Sequence, residues 1–284
     1  MKQMACPTME ALIAALREMS PNSRIISGGT DLIIRMQDGE EEPDLLVYMG
    51  CLAESKGIIL HEDALEIGAA VTMRELENSL CSTETGFAAI ADAARRLGSM
   101  QVRNTATIGG NLANASPSGD FLPVLSLLHA DALIATPKGT LRSAAVEEML
   151  QKGMRNALAY NEAIVKFRIP REKNAGPSAF LKLGFRREVS ITRIGLCGQL
   201  HLGRDGRIQK AAFMAGAISR QPVRVSEAEK ALVGLPAGPA AKETLGHCLR
   251  QLICEVAPGR DYKAQAAYGV AEDLMDILME RACS

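Results

Sequence analysis

Two short stretches of the chain carry glycine pairs among hydroxyl and small residues: Ser27-Gly28-Gly29-Thr30-Asp31 and Thr107-Ile108-Gly109-Gly110-Asn111. Without a Cβ, consecutive glycines reach backbone conformations that turn several N–H groups to one side, with no side chain in front of them. Concave runs of amides hold anions, and the start of a helix adds to the attraction. Neither stretch contains a lysine. A diphosphate there would be held chiefly by amides and by the hydroxyls of Ser27, Thr30 and Thr107. Taken singly, each pair reads first as a tight turn.

Other chemistries lack their residues. No Gly-x-x-x-x-Gly-Lys-Ser/Thr marks a P-loop, no Gly-x-Gly-x-x-Gly follows a strand, and there is no Gly-x-Ser-x-Gly elbow. His61, His129, His201 and His247 are scattered without ligand spacing, and no carboxylate pair stands out as acid and base. No catalytic residue and no metal site is therefore assigned. The cysteines (Cys6, Cys51, Cys81, Cys197, Cys248, Cys254, Cys283) are odd in number, and no two are two or three residues apart. That excludes a local zinc or iron–sulfur motif and gives no disulfide framework.

The 284 residues, 47% apolar and 23% charged, fit one large or two ordinary globular domains. A net charge of −1, with no Trp and few other aromatics, argues against nucleic-acid binding. No apolar run approaches the ~20 residues of a membrane span, and the N-terminus lacks signal-peptide character. A cytoplasmic location is expected.

The elements that must position the two stretches follow from pattern and punctuation. Residues 9–19 read as a helix capped by Thr8, then come a strand at 24–26, a short helix at 31–36 and a strand at 45–48. The loop Glu40-Glu41-Glu42-Pro43 reads as a solvated turn. A hairpin over 57–69 precedes helices at 72–78 and 86–97, an interruption at 105–111, and a buried helix at 121–128. Strands follow at 131–136, 140–143 and 163–169. After Lys173-Asn174-Ala175-Gly176-Pro177, a plausible boundary, strands at 179–185, 191–202 and 208–217 lead to helices at 226–233, 240–255 and 263–282. Arg204-Asp205-Gly206 is a hairpin turn. Strands and helices are segregated, which favours an α+β fold over a doubly wound sheet.

The run Gln101-Val102-Arg103-Asn104-Thr105-Ala106-Thr107-Ile108-Gly109-Gly110-Asn111-Leu112, with Asp120 trailing, closely resembles one family. It is that of the FAD-binding subunits and domains of molybdenum hydroxylases, of the xanthine dehydrogenase and carbon monoxide dehydrogenase flavoprotein type. Ile25-Ile26-Ser27-Gly28-Gly29-Thr30-Asp31-Leu32 is similar to the family's Ala-Gly-Gly-Thr-Asp-Leu loop, with Ser27 in place of alanine. Ser178-Ala179-Phe180-Leu181-Lys182-Leu183 through Arg186-Arg187-Glu188 also matches.

The resemblance implies a two-lobed FAD-binding domain of the vanillyl-alcohol-oxidase-like type over 1–172 (lobes 1–55 and 56–172). A small antiparallel-sheet and helix-bundle domain would follow over 177–284. It implies that Ile25, Ile26, Ser27, Gly28, Gly29, Thr30, Asp31 and Leu32, with Thr107, Ile108, Gly109, Gly110 and Asn111, wrap the FAD diphosphate. It places Asp120 at a polar contact, Leu97 and Ile164 at apolar ones, and Lys182 near the flavin ring, where a cation would favour the reduced anionic state. For Asp120 the plainer reading is a helix cap, for Lys182 a solvent-facing strand residue, and for Leu97 and Ile164 core packing.

Electrons would come from a [2Fe–2S] partner subunit, the hydroxylation site would lie on a molybdopterin-binding subunit, and NAD or another acceptor would take the electrons. With no His or Cys in either loop, FAD is expected to be non-covalent. The rival readings are a stand-alone FAD oxidoreductase of the vanillyl-oxidase type and a structural subunit that has lost FAD.

Overall fold

The structure, a computed structural model, describes residues 1–150, 157–172, 176–186 and 189–283. Lys173, Asn174 and Ala175 of the expected boundary, and Arg187 and Glu188 of the family match, lie outside the described residues. The chain begins with β1 (Lys2–Ala5), α1 (Met9–Glu18), β2 (Arg24–Ile26), α2 (Leu32–Gln37), β3 (Leu45–Tyr48), β4 (Ile58–Leu60) and β5 (Ala64–Gly68). It continues with α3 (Met73–Glu77), α4 (Ala88–Arg96), α5 (Met100–Arg103), α6 (Ile108–Asn114) and α7 (Phe121–Leu127). Then come β6 (Asp131–Ala135), β7 (Leu141–Ala145), α8 (Val146–Leu150) and β8 (Ala163–Pro170). The last part holds β9 (Ser178–Gly184), β10 (Thr192–Leu202), β11 (Ile208–Gly216), β12 (Val223–Arg224), α9 (Ser226–Leu232), α10 (Pro239–Val256) and α11 (Asp261–Cys283).

These elements form two compact units that interleave along the sequence. The first comprises Met1–Glu75, Ser99–Ser116 and His129–Pro170. Within it β1, β3 and β2 form a parallel sheet in that order, with α1 and α2 as crossovers. Thr8 caps α1 by accepting the Ala11 amide, and Leu12, Ala15 and Leu16, at helical spacing, bury one face. An opening of helix, strand, helix, strand was expected, and β1 precedes it. Its residues are mostly exposed, so no hydrophobic alternation announces it, and only pairing with β3 makes it a strand. A five-stranded antiparallel sheet, β4-β5-β8-β6-β7, completes the unit.

The second unit comprises Leu76–Gly98, Pro117–Leu128 and Arg171–Ser284. Its antiparallel sheet runs β12-β11-β10-β9, and Leu196, Phe213, Leu245, Leu249, Ile253, Leu274 and Leu278 belong to its core. In α4, seven consecutive residues from Ala88 to Ala94 are buried, and five of them are alanine. Small side chains on all sides let the helix lie close against β9 and α7. Helices come from three separate segments, so the compact unit is assembled from distant parts of the chain.

The stretch read as an interruption at 105–111 opens α6 instead, and α5 precedes it. A glycine pair is a poor helix former, which hid the element. It forms because Thr107 caps it and because Gly109 packs where a Cβ would meet Ala69 Cβ and O at 2.7 Å. Helix α8 was also missed, being a short five-residue helix directly after β7, with Glu147 and Glu148 between the buried Val146 and Met149.

Candidate functional site

Both glycine stretches belong to the first unit, and the first packs against Thr105 and Ala106, the residues that lead into the second. A Cβ at Gly28 would sit 2.0 Å from the Thr105 carbonyl oxygen and 3.1 Å from Ala106 Cα. Main chain packs on main chain, which only glycine allows. Gly29 has φ +70°, a left-handed conformation, and a Cβ there would also strike Ile33 and Ile26. The first stretch is therefore a turn that needs its glycines, held against the residues that lead into α6.

The two stretches differ in what they offer. Among the described residues, no backbone N–H from Ser27 to Asp31 donates to another protein group. In the second stretch the amides are committed: Ile108 donates to Val71 O (3.1 Å), Gly109 to Ala69 O (2.9 Å), Gly110 to Thr107 Oγ1 (3.2 Å) and Asn111 to Thr107 O (3.0 Å). Both loops were expected to present amides to a ligand; those of the second are spent within the protein, and only those of the first are uncommitted. Thr107 spends its hydroxyl as a helix cap. What remains in the second stretch is side-chain chemistry, since Asn111 Oδ1 is buried without a partner, as is Ser27 Oγ. A buried unsatisfied polar atom costs about 1–3 kcal/mol, so a ligand bearing hydroxyls and phosphates fits these residues. Ile164 is buried in β8, paired across the sheet with Ile134. Ile25, Ile26 and Leu32 are half-buried beside the first turn.

The other site residues, Leu97, Asp120 and Lys182, belong to the second unit. Leu97, half-buried, ends α4. Lys182, read as a cofactor lysine or as a solvent-facing one, is 10% exposed at its side chain. Its Nζ lies 2.8 Å from Asp120 Oδ2 and donates to Arg96 O at 3.1 Å. Asp120 directly precedes α7, makes no side-chain cap and accepts a second bond from the Thr192 hydroxyl. Thr192 and the Arg96 carbonyl carried no signal in the sequence, being set by the register of β10 on β9 and by the end of α4.

Burial pushes the Asp120 carboxyl above the ordinary carboxylate range, against the Lys182 ammonium, the Thr192 hydroxyl and, more weakly, Arg96. A carboxyl whose native pKa is raised contributes stability in full below its unfolded pKa and loses it as pH rises through the native value. Lys182→Met removes the largest opposing charge, so the native pKa should climb further and the loss deepen. Melting temperatures of variant and parent from about pH 4 to 8 should diverge as pH rises. A gap independent of pH would reject the coupling.

A βαβαβ lobe and an antiparallel sheet, with the first glycine turn packed on the residues that lead into the second, followed in the chain by a sheet covered with helices, is the architecture of a two-lobed FAD-binding flavoprotein. Residues 2–172 match the FAD binding domain in molybdopterin dehydrogenase, and residues 179–276 match the CO dehydrogenase flavoprotein C-terminal domain. The chain belongs to the family of FAD-binding subunits of molybdenum hydroxylases; it is part of an oxidoreductase, and its cofactor is FAD.

The chain is similar to the nicotinate dehydrogenase FAD-subunit of Eubacterium barkeri, 32% identical over 268 residues, covering 92% of this chain and 90% of that one. It is also similar to the xanthine dehydrogenase FAD-binding subunit of Escherichia coli O157:H7, 28% identical over 88% of this chain and 84% of that one. Among solved structures, a chain of the reconstituted CO dehydrogenase from Oligotropha carboxidovorans shares the fold, with a TM-score of 0.88 at 23% identity over 99% of this chain and 98% of that one. Among the described residues no helix is long and apolar enough to cross a membrane.

Proposed function

We propose that this chain is the electron-transfer subunit of a xanthine dehydrogenase-like complex. It takes electrons from a [2Fe–2S] partner subunit and passes them to NAD or another acceptor in the cytoplasm, while a molybdopterin-binding subunit hydroxylates the substrate. The relatives named as FAD subunits of nicotinate and xanthine dehydrogenases support the reading. So does the absence of a cysteine motif for a cluster in the sequence. A FAD module over 1–172 and a C-terminal module over 177–284 are part of the same proposal.

The observation that carries it is the packing of Gly28 on Thr105 and Ala106, which lead into the second glycine stretch, with unspent amides on Ser27–Asp31 and unpartnered Ser27 Oγ and Asn111 Oδ1. FAD, when bound, supplies reversible acceptance and release of electrons. In this chain the amides of the first turn hold the diphosphate, Thr30 adds a hydroxyl, and Asn111 accepts a bond from the bound group. Ile25, Ile26, Leu32, Ile108, Leu97 and Ile164 are assigned to its apolar surroundings. Asp120 and Lys182 are assigned to it as one ion pair, so Lys182 acts with its charge largely offset. No acid or base is needed for the transfer. The two loops lack His and Cys, which supports non-covalent binding.

The visible spectrum of the purified chain tests the reading. Two flavin bands are expected, with the flavin released on denaturation and recovered free after gel filtration. A colourless protein that takes up no added FAD would reject it, and flavin that stays with the denatured chain would reject non-covalent binding.

A further inference from the structure

Two of the cysteines leave adjacent strands of the parallel sheet at the same end. Cys6 directly follows β1 and is fully buried, whereas Cys51 lies three residues after β3 and is exposed. β1 and β3 pair in parallel register, Ala5 opposite Tyr48, and the Cys6 amide extends the ladder by donating to Tyr48 O at 2.9 Å. Met49 O then accepts the Leu52 amide at 3.0 Å, closing a turn over Gly50 and Cys51. Just beyond it the Ala53 amide donates back to Pro7 O at 3.3 Å.

The turn that carries Cys51 is thus tied on both sides to Cys6 and Pro7. The Cys51 thiol donates to Tyr48 O at 3.9 Å, the same oxygen that holds the Cys6 amide. Neighbouring strands run about 4.8 Å apart, within the roughly 4.4–6.8 Å between Cα atoms that a disulfide spans. Burial, and to a lesser degree the nearby Cys51, pushes the Cys6 thiol up. Cys6 therefore stays protonated and sheltered, while Cys51 faces the solvent through which oxidants arrive. The other exposed cysteines, Cys254 and Cys283, belong to the second unit.

We infer that Cys6 and Cys51 form a reversible oxidation site for hydrogen peroxide, with Cys51 reacting first and Cys6 resolving, a role independent of the electron transfer proposed above. The Cys51 thiolate attacks one peroxide oxygen, and the O–O bond breaks. Hydroxide leaves and takes up the proton that Cys51 lost, giving water, while the sulfur becomes a sulfenic acid. The Cys6 sulfur then attacks the Cys51 sulfur, the S–O bond breaks, and the Cys6 proton leaves with the hydroxyl as a second water. Two thiols are oxidised to one disulfide, and one peroxide is reduced to two waters. A thiol reductant reverses the bridge. The bridge would join two strand ends beside Ile26, whose carbonyl holds the Met49 amide at 2.9 Å just before the first glycine turn.

The test treats the purified full-length chain with hydrogen peroxide, alkylates the remaining thiols after denaturation and maps the peptides by mass spectrometry. A cross-linked Cys6–Cys51 peptide, lighter by two hydrogens than its parts, should form in most of the chain and vanish on reduction. In Cys51→Ser, Cys6 should stay a free thiol under the same treatment. In Cys6→Ala, Cys51 should pass on to sulfinic acid, which the reductant does not restore. A parent chain in which the pair stays reduced, or in which Cys51 becomes sulfinic acid beside a reduced Cys6, overturns the inference. So does a bridge from Cys51 to Cys254, to Cys283 or to a second chain, and so does oxidation of Cys6 in Cys51→Ser.

Discussion

Gly28→Ala is expected to strip the protein of its FAD. The added methyl group would lie 2.0 Å from the Thr105 carbonyl oxygen and 2.7 Å from its carbon, so two stretches of backbone must separate. Neither obstacle is the tip of a flexible side chain. Overpacking of this kind costs about 1–3 kcal/mol, and here the displacement falls on the turn whose amides are uncommitted. The affinity for FAD should fall about tenfold for each 1.4 kcal/mol transmitted to binding. Titration of the apoprotein with FAD, followed by flavin fluorescence, measures it.

The control is Gly269→Ala, in an exposed part of α11 with open space around it. It should leave binding unchanged and add about 0.5–1 kcal/mol of stability through helix propensity. Equal affinity in parent and Gly28→Ala would mean that the packing of Gly28 on Thr105 does not shape the cofactor site.

The largest stability effect is expected at Arg281. Its guanidinium binds Asp92 bidentately, at 2.8 and 2.9 Å, and donates to the Ser178 carbonyl at 2.6 Å. Asp92 is buried and also accepts the Phe180 amide at 3.1 Å, while the Ser178 hydroxyl accepts the Ala89 amide. One arginine near the end of α11 thus ties α4 to β9 at Ser178, on the strand that carries Lys182. Arg281→Leu leaves the buried Asp92 carboxylate with only the Phe180 amide and, at 4.0 Å, Arg95, and removal of one partner from such a pair costs about 3–5 kcal/mol. The lower end applies, because the Arg281 side chain is 26% exposed.

Urea unfolding at neutral pH should show this loss, and Arg281→Leu with Asp92→Leu should recover part of it. A loss below about 0.5 kcal/mol would place the pair among ordinary surface contacts.

Much of the local structure was legible from residue types. Thr8 before a run with helical apolar spacing marked α1, and Arg204-Asp205-Gly206 marked the turn between β10 and β11. The alanine-rich segment was recognisable as α4. Elements whose stability is not local escaped. β1 has no alternation of its own, and α6 carries two glycines that argue against a helix until Thr107 and Ala69 are in place. The clustering of residues 76–98 and 117–128 with the C-terminal sheet has no counterpart in the linear order of strands and helices.

The sequence by itself carried the resemblance that implies the class of ligand: the glycine pairs alone read as tight turns that could hold an anion, and only their flanking residues resemble the FAD-binding subunits. Only the tertiary structure decided which atoms remain available. It spent the amides of Ile108–Asn111 on Val71, Ala69 and Thr107, and left those of Ser27–Asp31 unspent. It also turned Lys182 from a lone cation into half of a buried pair with Asp120. The physical reason is that a donor or a charge is free or committed according to partners that lie far along the chain and come within reach only on folding.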